Sequence, residues 1–213
     1  MTREISKVLK TLEKAEGLTM LAELGQKHTP FQMLISTILS ARARDEVTLP
    51  LSKKLFKEYG TANKLADADS SRVKEIIRPI GFYNVKTKNI IATAKMIRDE
   101  FKGRVPDKMS ELIKLPGVGR KVGNCVLVYA FEQDAIPVDT HVHRLSNRLG
   151  WVKTKNPEET ERELERIVPK KYWNLVNEVF VMHGKNICTP ISPFCSKCPV
   201  FESCKRVGVK KNR

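Results

Sequence analysis

Four cysteines near the end of the chain, spaced Cys188-x6-Cys195-x2-Cys198-x5-Cys204, constrain most what it can fold into. Four thiolates brought together need a soft cation, because buried unpaired charge is costly. A tetrahedral zinc ion or an iron–sulfur cluster satisfies four sulfurs. Zinc modules usually arrange their ligands as two short pairs separated by a long stretch. Here only Cys195 and Cys198 form such a pair. The outer two cysteines reach in from longer arms, which suits a wider cubane. Disulfides are the alternative, and they need an oxidising compartment. The N-terminal Met1-Thr-Arg-Glu-Ile-Ser6 has no apolar core of the kind a secretory signal carries. The fifth cysteine, Cys125, sits among Val122, Val126 and Leu127 and reads as a packing residue.

The chain has 213 residues, enough for one large domain or two small ones, and a net charge of +15. That excess favours polyanionic partners through counterion release, although a generic basic surface gives the same total. No apolar run is long enough to span a bilayer. The expectation is a soluble intracellular monomer, cytoplasmic with the nucleoid in a prokaryote and nuclear in a eukaryote.

Helical periodicity dominates. Ile5, Val8, Leu9 and Leu12 form one stripe, and Phe31, Leu34, Ile35, Ile38 and Leu39 a wider one. Asp45 is expected to cap a helix running toward Tyr59, which Pro50 should bend or delay. Val73, Ile76 and Ile77 mark a short helix ended by Pro79 and Gly81. Ile90, Ile91, Ala94, Ile97 and Phe101 mark another, stopped by Gly103. Asn156-Pro157-Glu158-Glu159 reads as a helix start. Trp173, Val176 and Phe180 line a last helix that Gly184 is expected to close. With no period-two strand, the fold class is all-α. A helical bundle over 22–134 is expected, with 1–21 and 135–213 forming a discontinuous domain around the cysteines.

Ser110 to Leu115 reads as a short helix, and Arg120-Lys121 opens a second one. Pro116-Gly117-Val118-Gly119 lies between them. Two glycines let the main chain approach another molecule, and amides at a helix start can point at an anion. Such a helix–hairpin–helix can grip a phosphate without reading bases. An ordinary tight turn between packed helices is the plainer reading. A lysine nucleophile must first lose its proton. At an unperturbed pKa of about 10.4, only about one lysine in 2500 is neutral at pH 7. Partial burial, Arg120 and the positive helix end would each depress the pKa of Lys121. Asp139, after an extended Pro137-Val138, reads as the cap of the helix holding Val142 and Leu145. The same cap would hold its carboxylate rigidly for proton transfer or for stabilising a sugar cation. His141 and His143 stand two apart, on different helix faces, which argues against a shared metal.

Leu115-Pro-Gly-Val-Gly-Arg-Lys121, Val138-Asp-Thr-His141 and the cysteine spacing together resemble the endonuclease III family of base-excision-repair DNA glycosylases. The resemblance runs from Leu39-Ser-Ala41 and Ile80-Gly-Phe-Tyr-Asn84 to Cys204. It implies a two-lobed helix–hairpin–helix glycosylase fold, a bundle of about six helices beside a lobe carrying a 4Fe–4S cluster on the four cysteines. The substrate cleft would lie between the lobes. It implies Lys121 as nucleophile, Asp139 as catalytic carboxylate, and duplex DNA with a damaged pyrimidine or an abasic site as partner. Arg42, Phe82, Gly117, Val118, Gly119, Arg120 and His141 fall at DNA-contacting positions. Lys121 would attack the anomeric carbon and expel the flipped base, leaving a Schiff base with the sugar, and β-elimination would nick the strand.

Three departures stand out. Bacterial members usually carry Gln where this chain has Arg42, the position that fills the space left by the flipped base. They usually carry Leu where it has Phe82, the wedge in the stack. The Thr189-Pro-Ile-Ser-Pro-Phe194 loop has no basic residue, where those members place one to touch phosphate; either Lys185, Lys197 or Lys205 substitutes, or the contact is absent. Three other functions compete. A monofunctional uracil or T/G-mismatch glycosylase needs no amine nucleophile, so Lys121 argues against it. A non-enzymatic DNA-binding iron–sulfur protein leaves both Lys121 and Asp139 unused. An electron carrier does not explain the basic charge.

Overall fold

The computed structural model describes residues 2–17, 19–25 and 28–213, and every regular element among them is helical. The helices are α1 (Thr2–Ala15), α2 (Met20–Gly25), α3 (Pro30–Ser40), α4 (Asp45–Tyr59), α5 (Ala62–Ala66), α6 (Ser70–Ile77), α7 (Tyr83–Asp99), α8 (Met109–Leu112), α9 (Arg120–Phe131), α10 (Thr140–Leu149), α11 (Pro157–Ile167) and α12 (Trp173–Asn186). They divide into two compact units, Met20–Gln133 and the pair of segments Met1–Thr19 with Asp134–Arg213.

In the first unit α3 is central. Its side chains from Phe31 to Leu39, except Gln32, are buried, as expected of a helix surrounded by others. It packs against α9, α4, α7 and α2. Its start is fixed by a capping box: Thr29 Oγ1 accepts from the Gln32 amide at 3.3 Å and Gln32 Oε1 from the Thr29 amide at 3.2 Å. The α3 stripe meets Leu55, Val73, Ile76, Ile77, Ile90, Ala94, Ile97 and Val126 in one core. Cys125 is fully buried beside Leu21, Leu24 and Met33 in a satellite cluster.

In the second unit the α1 stripe of Ile5, Val8, Leu9 and Leu12 joins Val142, Leu145, Leu164, Val176 and Phe180. There α12 packs on α1 and α10, and α10 on α11. The Trp151 and Phe180 rings lie 5.3 Å apart, centroid to centroid.

Several boundaries differ from the sequence reading. Asp45 is the first residue of α4, not its cap; Arg44 holds the cap position without a side-chain bond. The helix also runs straight through Pro50 in sequence. Proline removes the amide that would serve the Glu46 carbonyl. Both Glu46 and Pro50 are exposed, so water can serve it instead. Helix α8 is one turn ending at Leu112, and α7 ends at Asp99, before Phe101. Gly184 does not end α12, which continues to Asn186. It is a contact point instead: a Cβ there would lie 2.6 Å from His141 Nδ1 and 2.9 Å from His141 Cβ. Glycine lets α10 press directly onto the α12 backbone.

Candidate functional site

The hairpin hangs from α7. Thr93 Oγ1 donates to the Pro116 carbonyl at 2.8 Å. Gly117 has φ +81°, and a Cβ there would meet Asn89 Nδ2 at 2.8 Å. A side chain at Gly117 is thus opposed twice, by backbone conformation and by α7. Val118 faces inward, 7% exposed, and its amide donates to the Leu115 carbonyl at 3.1 Å. Val118 therefore anchors the turn, and a phosphate would have to be met by its neighbours. Gly119 caps α9 without a side-chain bond, and a Cβ added to it would touch nothing within 4 Å. The space beside Gly119 is open to a ligand. Arg120 is exposed and Lys121 half-buried, in the first turn of α9.

These contacts separate two glycine substitutions. Gly117→Ala should cost about 1–3 kcal/mol of stability, from left-handed backbone plus the Asn89 clash. Gly119→Ala should cost under about 1 kcal/mol as a poorer cap. If the hairpin grips a phosphate as its resemblance implies, the added methyl fills the open side and DNA binding should weaken several-fold. Urea melts and DNA titrations of the two variants check both halves.

Arg42 and Phe82 also belong to this unit and sit on tight turns, with φ 54° and 60°. Left-handed backbone costs a non-glycine residue about 1–2 kcal/mol, and such strain gathers at functional sites. Phe82 is 62% exposed at the start of α7. The Arg42 guanidinium lies 5.9 Å from the centre of its ring. The two side chains expected to enter the DNA stack thus lie within cation–π range of each other.

Asp139 and His141 lie in the other unit. Asp139 caps α10: Oδ1 accepts from the amides of His141 at 2.8 Å and Val142 at 2.9 Å. Both bonds use the same oxygen, so Oδ2 takes no part in the cap. His141 is half-buried, with Nδ1 3.2 Å from Arg144 Nη2, and burial holds its pKa below the ordinary value. Near neutral pH it is an uncharged ring rather than a phosphate-pairing cation. His143 turns away, with Nδ1 2.7 Å from Thr160 Oγ1.

The thiols of Cys188, Cys195, Cys198 and Cys204 line one pocket, with Ile187, Pro193, Phe194, Phe201 and Val209 as apolar walls. Among the described residues no three metal-binding side chains close on a single ion. The four cysteines face one pocket. Burial pushes the Cys198 thiol up to about 11, so thiolate there needs cationic help. Donors already face the sulfurs. Arg148 Nη1 lies 3.3 Å from Cys188 Sγ, and the Arg206 amide donates to Cys204 Sγ at 3.4 Å. His183 Nε2 lies 3.5 Å from Cys198 Sγ, while its Nδ1 meets Glu16 Oε1 at 2.9 Å.

The sequence reading missed Arg144, Arg148, His183 and Glu16. Arg144 binds the carbonyls of Gly184 and Cys188 at 2.9 and 3.0 Å, and Arg148 those of Thr189 and Pro190 at 2.7 Å each. Two arginines one helical turn apart on α10 therefore hold the loop that opens the cysteine run. That spacing was the available signal. The loop without basic residues is served from outside, since Arg213 Nε also donates to the Ser192 carbonyl at 3.1 Å.

Residues 35–170 match the family model of the HhH-GPD superfamily base excision DNA repair proteins. The endonuclease III of Thermotoga maritima is 47% identical over 176 residues, 83% of each chain. That of Bacillus subtilis is 37% identical over 204 residues, covering 95% of this chain and 93% of its own. A solved structure of a trapped endonuclease III–DNA covalent intermediate superposes with TM-score 0.88. It is 34% identical and covers 97% of this chain and 96% of its own.

Proposed function

Because this chain belongs to the endonuclease III family of helix–hairpin–helix base-excision DNA repair proteins, we propose a Schiff-base mechanism for it centred on Lys121. The protein is a DNA glycosylase and abasic-site lyase acting on duplex DNA. Its preferred substrates on this reading are oxidised or ring-saturated pyrimidines. The observation that carries the reading is a half-buried lysine in the first turn of α9, directly after a hairpin whose Gly119 side is open.

The hairpin grips the backbone through main-chain amides and the positive end of α9. The target base leaves the stack, Phe82 wedges into the duplex, and Arg42 offers hydrogen bonds to the orphaned partner base. Lys121 Nζ, once deprotonated, donates its electron pair to the anomeric carbon. The glycosidic bond breaks, and its electrons leave with the base, which takes up a proton. Ring opening gives an imine between Nζ and the sugar. Loss of the adjacent proton then expels the 3′ phosphate by β-elimination. Asp139 stabilises the positive charge developing on the sugar and assists proton transfer from the amine. A monofunctional enzyme would have no use for an amine at Lys121.

The four cysteines fit a 4Fe–4S cluster. They supply four sulfurs facing one pocket, apolar walls, and nitrogen donors aimed at sulfur. Cys188, Cys195, Cys198 and Cys204 would hold the cluster and so tie the end of α12 to the C-terminal segment, with Arg148 of α10 beside the Cys188 sulfur. Iron and sulfide analysis of the protein as purified should give about four iron per chain. Cys198→Ala should lose the cluster's visible absorption and lower Tm. One zinc per chain with no colour would overturn the assignment.

A further inference from the structure

Helix α7 begins with an inversion of the usual pattern. Val85 is 56% exposed, while Lys86 is 6% exposed. In a chain with 39 lysines and arginines, a buried lysine beside an exposed valine breaks the local rule. Its bonds show what the inversion achieves. Lys86 Nζ donates to the Leu39 carbonyl at 2.8 Å. Leu39 lies in the last turn of α3, where carbonyls lack helical partners and the helix end is negative. The Lys86 amide donates to the Phe82 carbonyl at 3.0 Å. One residue thus binds the peptide of Phe82 with its main chain and the peptide three residues before Arg42 with its side chain. Both turns carry left-handed backbone. Desolvation lowers the Lys86 pKa, a cost that a surface lysine avoids.

We propose that Lys86 is a positioning residue that ties the Arg42 turn to the Phe82 turn, so that both side chains enter the duplex as one unit. The proposal rests on the wedge and void-filling roles given above for Phe82 and Arg42. Its effect belongs to base extrusion, not to the chemistry at Lys121. Lys86→Met keeps the aliphatic stem and removes the donor. Lys86→Gln restores an N–H on a shorter arm, and serves if the Met variant does not fold.

Single-turnover base release from a paired lesion should fall about tenfold in Lys86→Met and recover partly in Lys86→Gln. Nicking at an abasic site, where no base must be extruded, should change less than about twofold. The fluorescence rise of a 2-aminopurine beside the lesion, which reports unstacking, should slow with base release. Combined with Phe82→Ala, the lysine substitution should add almost nothing. Equal losses on both substrates, or full additivity beside a Phe82→Ala defect, overturn the proposal alone. Unchanged unstacking in Phe82→Ala itself brings down the wedge reading and this proposal with it.

Discussion

Lys121→Gln should lower strand nicking at an abasic site by about a thousandfold or more, since removing a nucleophile deletes a step instead of weakening a contact. The substitution is mild everywhere else. Glutamine is a good helix former of similar reach, and Lys121 is only half-buried in the first turn of α9. Losing a positive charge at a helix start is even slightly favourable. Tm should therefore move by no more than a few degrees, and damaged DNA should still bind through the hairpin. Single-turnover nicking beside a thermal melt checks both parts. Nicking near the wild-type rate would place the nucleophile at another amine.

Asp139 poses the opposite difficulty, because it has a structural task already. Its Oδ1 accepts two amides at the start of α10. Asparagine and aspartate cap helices about equally well. Asp139→Asn should thus keep the cap, with stability within about 0.5 kcal/mol of wild type. Base release should nonetheless fall about a hundredfold or more, because the carboxylate charge and its proton acceptor are gone. Asp139→Ala should lose both functions, adding about 1 kcal/mol of instability. Base release and urea midpoints of the two variants separate the charge from the cap. Equal stability loss with unimpaired release in Asp139→Asn would leave the residue a cap and nothing more.

The extent to which the site was legible in sequence follows the range of the interactions involved. Local chemistry read well. The α1 and α3 stripes, the Asn156 cap and the Asp139 cap depend on residues within one or two turns of each other. The failures came where a partner lies far along the chain. Gly184 reads as a helix stop until His141 and Arg144 press onto it from α10. Lys86 reads as one more surface lysine, because its partner Leu39 is 47 residues away. The cysteine spacing announced a soft-metal site, whereas Arg148, His183 and Glu16, which surround or support the sulfurs, come from α10, α12 and the segment after α1. Motif residues are found by spacing; residues that orient them from far along the chain, as Lys86 and Glu16 do, are found in three dimensions.

Borohydride trapping on a duplex carrying a single thymine glycol reads the Schiff base itself. The reductant converts a Schiff base into a stable amine, so a covalent intermediate becomes a protein–DNA adduct of fixed mass. Wild-type protein should give an adduct that peptide mapping places on Lys121, and Lys121→Gln should give none. Base release by wild type without any adduct, on this lesion or on an abasic duplex, would contradict the Schiff-base mechanism and make the enzyme a monofunctional glycosylase.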